Sequence, residues 1–100
     1  MYDINSVKLF YTNGMRGALS NICHGNGRGN GYATVQDLQD AVEDSETAED
    51  LTKNVSALNL IGMRDLKMDR DTREYTRLKG TDVLGSVHYL IVAKKQQGGT

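Results

Sequence analysis

Apolar residues recur along this chain with two different periods, and each period predicts a different kind of element. From Ile4 to Ile22, the positions Val7, Phe10, Tyr11, Gly14, Ala18, Leu19 and Ile22 stand near the 3.6-residue spacing of an amphipathic helix, so a first helix is predicted there. Gly14 and Gly17 weaken it by about 1 kcal/mol each relative to alanine. The helical pattern returns after Thr34, with Val35, Leu38, Ala41 and Val42 on one face. It returns again after Thr47, with Ala48, Leu51, Val55, Leu58 and Ile61. Thr34 with Asp37, and Thr47 with Asp50, have the spacing at which a hydroxyl and a carboxylate satisfy the free N–H groups of a helix start. Helix two is expected to end near Glu43. Helix three is expected to end at Gly62, which suits a left-handed C-terminal cap.

Beyond Gly62 the period changes. Met63 to Asp69 and Arg73 to Leu78 flank Arg70-Asp71-Thr72 and predict a two-stranded hairpin, with Leu66 and Met68 sharing a face because strand side chains alternate. The segment from Val83 to Ala93 fits both periods. Val83, Val87, Leu90 and Ile91 make a helical stripe, Val87, Tyr89, Ile91 and Ala93 alternate as in a strand, and the helix is preferred. Gly25 to Gly31 alternates glycine with Asn26, Arg28 and Asn30 and predicts a loop, since glycine loses the most backbone entropy on ordering. Together these elements predict one α+β domain over residues 1–95, mostly α, with a flexible tail over 96–100.

Composition narrows the class. A chain of 100 residues holds one core, and a 38% hydrophobic, 25% charged balance is that of a folding domain rather than a disordered chain. The single cysteine, Cys23, excludes an intrachain disulfide and favours a reducing compartment, so the cytoplasm is expected. There is no signal-like start and no apolar run near the roughly 20 residues needed to span a bilayer, so no membrane association is expected.

The net charge of −1 conceals a strong segregation. Residues 32–51 carry Asp37, Asp40, Glu43, Asp44, Glu46, Glu49 and Asp50 with no lysine or arginine. Residues 52–79 carry seven basic side chains against four acidic ones. The acidic block falls on helix two and the start of helix three, and the basic block on the rest of helix three and the hairpin.

Thr34-Val35-Gln36-Asp37-Leu38, then Leu58-Asn59-Leu60-Ile61-Gly62-Met63, then Arg73-Glu74-Tyr75-Thr76-Arg77-Leu78 resemble the corresponding segments of prokaryotic winged helix-turn-helix regulators. The resemblance spans residues 34–80 and rests on residue type and spacing. It implies a recognition helix, a two-stranded wing and a C-terminal dimerisation helix after Gly80, hence a homodimeric transcriptional regulator of double-stranded DNA. A helix about 10–12 Å across fits the major groove, and a basic ribbon can lie along a phosphate chain. On that reading Thr52, Lys53, Asn54, Ser56 and Asn59 face bases and phosphates, and Arg70, Arg73 and Arg77 hold the backbone. Glu46, Glu49 and Asp50 oppose it, because carboxylates at the N-terminal end of a recognition helix repel phosphate. The alternative is a protein-interaction module, an inhibitor or adaptor that presents Asp37, Asp40, Glu46, Glu49 and Asp50 to a basic partner or imitates DNA.

Other chemistry is thin. The glycine run lacks the third glycine of Gly-x-Gly-x-x-Gly and the Lys-Ser/Thr of a phosphate loop, leaving a connector or an Arg28-centred contact loop. Cys23, His24 and His88 are three, short of the four ligands of structural zinc, and nothing in the sequence positions a base for a cysteine nucleophile, so a buried or half-buried thiol is expected. Neither an enzyme, a metal nor a cofactor is expected.

Overall fold

The computed structural model describes residues 2–11, 16–17, 22–23 and 31–95. The glycine run up to Asn30 and the tail over 96–100 lie outside the described residues. Strands β1 (Lys8–Tyr11) and β2 (Arg16–Gly17) come first, then helices α1 (Val35–Glu43) and α2 (Ala48–Ser56). Strands β3 (Arg64–Asp71), β4 (Tyr75–Thr81) and β5 (Val87–Ala93) follow. All pairings are antiparallel, and the sheet order is β2-β1-β5-β4-β3.

This architecture corrects the mostly α, winged-helix expectation. The chain is α+β, with two nine-residue helices packed on one face of a five-stranded sheet. Where helix one was expected, the described residues form a short 3-10 turn, Ile4–Ser6, and strand β1. Where a dimerisation helix was expected, Val87–Ala93 is a central strand, and Val83 and Leu84 project from the preceding turn at 69% and 87% exposure. The supposed wing is therefore two of five strands, not a free ribbon.

The two helix starts follow their threonines. Thr34 Oγ1 accepts from the Asp37 N–H at 3.0 Å while Asp37 Oδ2 accepts from the Thr34 N–H at 2.9 Å, a reciprocal cap. Thr47 Oγ1 accepts from the Asp50 N–H at 3.0 Å. Helix α2, however, ends at Ser56 with Ala57 as its cap, well short of Gly62. The Ile61 N–H instead donates to the Ile22 carbonyl at 2.8 Å, and Leu60 and Met63 enter the core from the irregular chain that follows the helix. Their apolar spacing reflects burial, not helix.

Alternation in the central strands divides the sheet into two faces. Thr76, Leu78 and Gly80 on β4, and His88, Leu90 and Val92 on β5, are buried beneath the helices. Leu9, Leu38, Val42, Leu51, Val55, Leu78, Leu90 and Val92 belong to one core cluster. Gly80 is a contact requirement: a Cβ there would stand 2.7 Å from Met63 Cγ and 2.8 Å from the Arg64 carbonyl oxygen.

Two charged clamps close the ends of β4 and β5. Asp82 Oδ1 accepts from the Leu84 and Ser86 N–H groups, both at 2.9 Å, and Oδ2 pairs with His88 Nε2 at 2.8 Å. At the other end Lys94 Nζ lies 2.7 Å from Asp71 Oδ1, which also accepts from Thr76 Oγ1 at 2.8 Å. Having given its proton to Asp71, the Thr76 hydroxyl accepts from buried Tyr2, whose oxygen is 2.6 Å away. The His88 hydrogen bond is the main cause holding Asp82 below the usual carboxylate range, and the Lys94 bond is the main cause for Asp71.

Gly80→Ala is expected to lower stability by about 1–3 kcal/mol through overpacking, read from urea unfolding. Because Asp71 and Asp82 are depressed in the folded state, their contribution is complete above the unfolded carboxylate value near about 3.9 and is lost as pH falls through the folded values. Thermal unfolding midpoints should therefore drop below roughly pH 4, and Asp82→Asn should give a shallower acid limb.

Candidate nucleic-acid interface

The sheet face turned away from the helices carries a different set of side chains. Register places Lys8 beside Ile91, Ile91 beside Arg77, and Arg77 beside Arg70. The next row places Phe10 beside Tyr89, Tyr89 beside Lys79, and Lys79 beside Lys67. Two rows thus cross four strands; both are basic at β4 and β3, while at β1 and β5 the first carries Lys8 and Ile91 and the second Phe10 and Tyr89. Tyr75, Thr81, Val87 and Ala93 flank them on the same face.

Within this face Arg77 is fixed on both sides. Its guanidinium carbon lies 4.8 Å from the Tyr89 ring centre, and Asp69 Oδ2 accepts from Nε at 2.7 Å and from Nη2 at 2.6 Å. The arginine is held as a layer on the tyrosine rather than as a free cation. Such a planar group, backed by an aromatic ring, is a surface on which a nucleobase can stack.

Lys67 and Lys79 are different. They are exposed, directly opposed across β3 and β4, and make no ion pair among the described residues. Like charges placed directly opposite destabilise a sheet. With Asp65, Gly80 and Thr81 they line a cleft of about 390 Å³. Asp65 itself sits in the left-handed region, at φ 56°, where the register of β3 shifts between Arg64 and Lys67.

The residues expected to read DNA are not brought together. Asn54 Nδ2 donates to the buried Ser45 hydroxyl at 3.0 Å, Thr52 Oγ1 to the Ala48 carbonyl at 2.8 Å, and Asn59 Nδ2 to the Gly31 carbonyl at 3.0 Å. These three serve the fold. Lys53 and Ser56 are exposed on α2, and with Glu49, Thr52 and Met68 they border a groove of about 280 Å³. Arg77 lies on the opposite face of the sheet from α2, Arg70 is its cross-strand neighbour, and Arg73 is exposed in the Thr72–Glu74 turn. No one groove can contact both α2 and Arg77.

The carboxylates Asp37, Asp40, Glu46, Glu49 and Asp50 are all exposed on the helix layer, with Asp40 Oδ1 accepting from Gln36 Nε2 at 2.8 Å. Burial pushes the Cys23 thiol up to about 11, the opposite of an activated nucleophile. His24 lies outside the described residues, and His88 is bonded to Asp82. No group of three or more metal-binding side chains occurs among the described residues, and no helix among them is long and apolar enough to cross a membrane.

Sequence reasoning missed Lys8, Phe10, Lys67, Lys79 and Tyr89 as a set. The signal was the alternation of Val87, Tyr89, Ile91 and Ala93, which would have placed Tyr89 and Lys79 on a common face. No protein family model matches the sequence, and no curated protein or solved structure matches it. Among the described residues, the fold and this face define a small α+β chain with an acidic helical layer and a basic and aromatic sheet face.

Lys79→Glu converts a like-charge cross-strand pair into an opposite-charge one and is expected to raise stability by about 0.2–1 kcal/mol, measured by thermal unfolding at low salt.

Proposed function

We propose that this chain is a non-catalytic nucleic-acid-binding protein that lays a single strand across the face of its sheet turned away from the helices. The observation that carries this reading is the pair of side-chain rows crossing β1, β5, β4 and β3. They set Tyr89 and the Arg77 layer beside Lys79, Lys67, Arg70 and Lys8. Single-strand binders combine a cationic surface that follows the backbone with planar groups for the bases. A duplex buries its base faces and offers nothing to that platform.

The acidic helix layer favours the same arrangement. Carboxylates at the start of α2 disfavour insertion of that helix into a groove lined by phosphates, and they leave the sheet as the side a polyanion approaches. The regulator of double-stranded DNA expected from the sequence thus gives way to a binder of unpaired strands.

Fluorescence anisotropy with a labelled 12-nucleotide single strand and the duplex of the same sequence tests the reading. Salt-dependent binding, tighter for the single strand, is expected. Arg77→Lys keeps the charge but removes the plane, so affinity should fall about fivefold or more, taking stacking at about 1–3 kcal/mol per base, while the salt slope stays constant. Tighter duplex binding, or no binding of either, would sink the proposal.

A further inference from the structure

We infer that the cleft between Lys67 and Lys79 is a subsite for one internal phosphodiester of a bound strand, and that Asp65 tunes it against terminal or free phosphate. The inference rests on the single-strand reading above and assigns the anchoring point within it.

Three observations converge on the cleft. First, Lys67 and Lys79 are register partners with like charge and no ion pair among the described residues. Arg77 on the neighbouring row has Asp69. A fold with no use for charge at this place gains by replacing either lysine. Second, the two lysines border a concavity together with the Thr81 side, rather than pointing from a flat surface. The cleft walls include the apolar stems of these side chains, and the donors a phosphate oxygen pair can accept from are the two ammoniums and the Thr81 hydroxyl at their ends. Third, Tyr89 is the register partner of Lys79 on its other side, so a base on the Arg77–Tyr89 layer and a phosphate in the cleft are one side-chain position apart.

Asp65 decides which phosphate. Two ammoniums and one carboxylate leave the cleft with one unit of positive charge. A phosphodiester carries a single negative charge, whereas a phosphate monoester carries roughly 1.5 to 2 at neutral pH. The second charge of a monoester meets the Asp65 carboxylate. An internal linkage is therefore matched and a terminal or free phosphate is not, which suits a protein that holds the interior of a strand in the presence of free nucleotides. The Asp65 backbone lies at φ 56°, a conformation that aspartate and asparagine tolerate better than most residues.

The test uses two readouts. In anisotropy with the 12-nucleotide strand, Lys67→Gln with Lys79→Gln should weaken binding several-fold and reduce the magnitude of the salt slope by about 0.7, the loss of one phosphate contact on a single strand. The same double variant should melt at an equal or higher temperature, which separates lost binding from lost folding. In amide NMR titrations, dimethyl phosphate should shift Lys67, Lys79 and Thr81 of the wild-type protein more than inorganic phosphate does at pH 8. Asp65→Asn, which keeps the tolerated backbone, should reverse that order. An unchanged salt slope in the double variant, with wild-type binding intact, overturns the subsite but leaves the single-strand reading standing. Amide shifts with dimethyl phosphate but no oligonucleotide binding support the cleft and sink the broader reading. Capture by phosphatidylglycerol vesicles in preference to the strand would overturn the assignment to nucleic acid.

Discussion

The pairing of β4 with β5 is the constraint on which the rest of the molecule depends. Seven register partners, from Tyr75 with Ala93 to Thr81 with Val87, fix which side chains enter the core and which face outward. A one-residue slip of β4 against β5 would move Arg77 and Lys79 beneath the helices and expel Leu78. The Asp82 turn, with Gly85 at φ 85° and three side-chain bonds from one carboxylate, sets the register at one end. The Asp71, Thr76, Tyr2 and Lys94 network sets it at the other. Both faces of the sheet, and so both the core and the candidate interface, follow from these two ends.

How much of this was legible in the sequence depends on whether a local signal or a tertiary one decides each element. The helix starts were legible, because Thr34 with Asp37 and Thr47 with Asp50 act within one turn of the chain. The β3–β4 hairpin was legible too, although its turn falls at Thr72–Glu74, where the Thr72 hydroxyl accepts from the Glu74 and Tyr75 N–H groups at 3.2 and 3.1 Å. Strand β5 was obscured because both of its faces are apolar: Leu90 and Val92 enter the core while Tyr89 and Ile91 pack half-buried on the other side. A strand apolar on both faces loses its period-two signature and can be threaded by a helical stripe. The end of α2 was hidden for a similar reason, since Leu60 and Met63 are buried from irregular chain and continue the apolar spacing of the helix.

The site was less legible than the fold, and the reason is spatial. Sequence correctly separates an acidic block from a basic one, but it cannot tell whether neighbouring charges share a surface. Lys53 and Arg77 both belong to the basic block, yet the sheet lies between α2 and the face bearing Arg77. Lys8, distant in sequence, joins that face only because β1 pairs with β5. The asparagines on and after α2 looked like base-reading groups by type, but Ser45 and Gly31 occupy their amides.

A chain with a net charge of −1 can still hold a polyanion if its two signs are far enough apart. Packed layers are separated by about 10 Å, and the Debye length at physiological ionic strength is about 8 Å. The phosphates of a strand laid on the sheet would meet Lys67 with Lys79, Arg70 or Lys8 in turn at contact range, while the helix carboxylates lie on the far side of the core. The layers do not cancel. They make the molecule directional, attracting a strand to one side and repelling it from the other. The cost is borne by the sheet, where Lys67 faces Lys79 and Arg70 faces Arg77 across one strand gap. Asp69 offsets the second pair, whereas no ion pair among the described residues offsets the first.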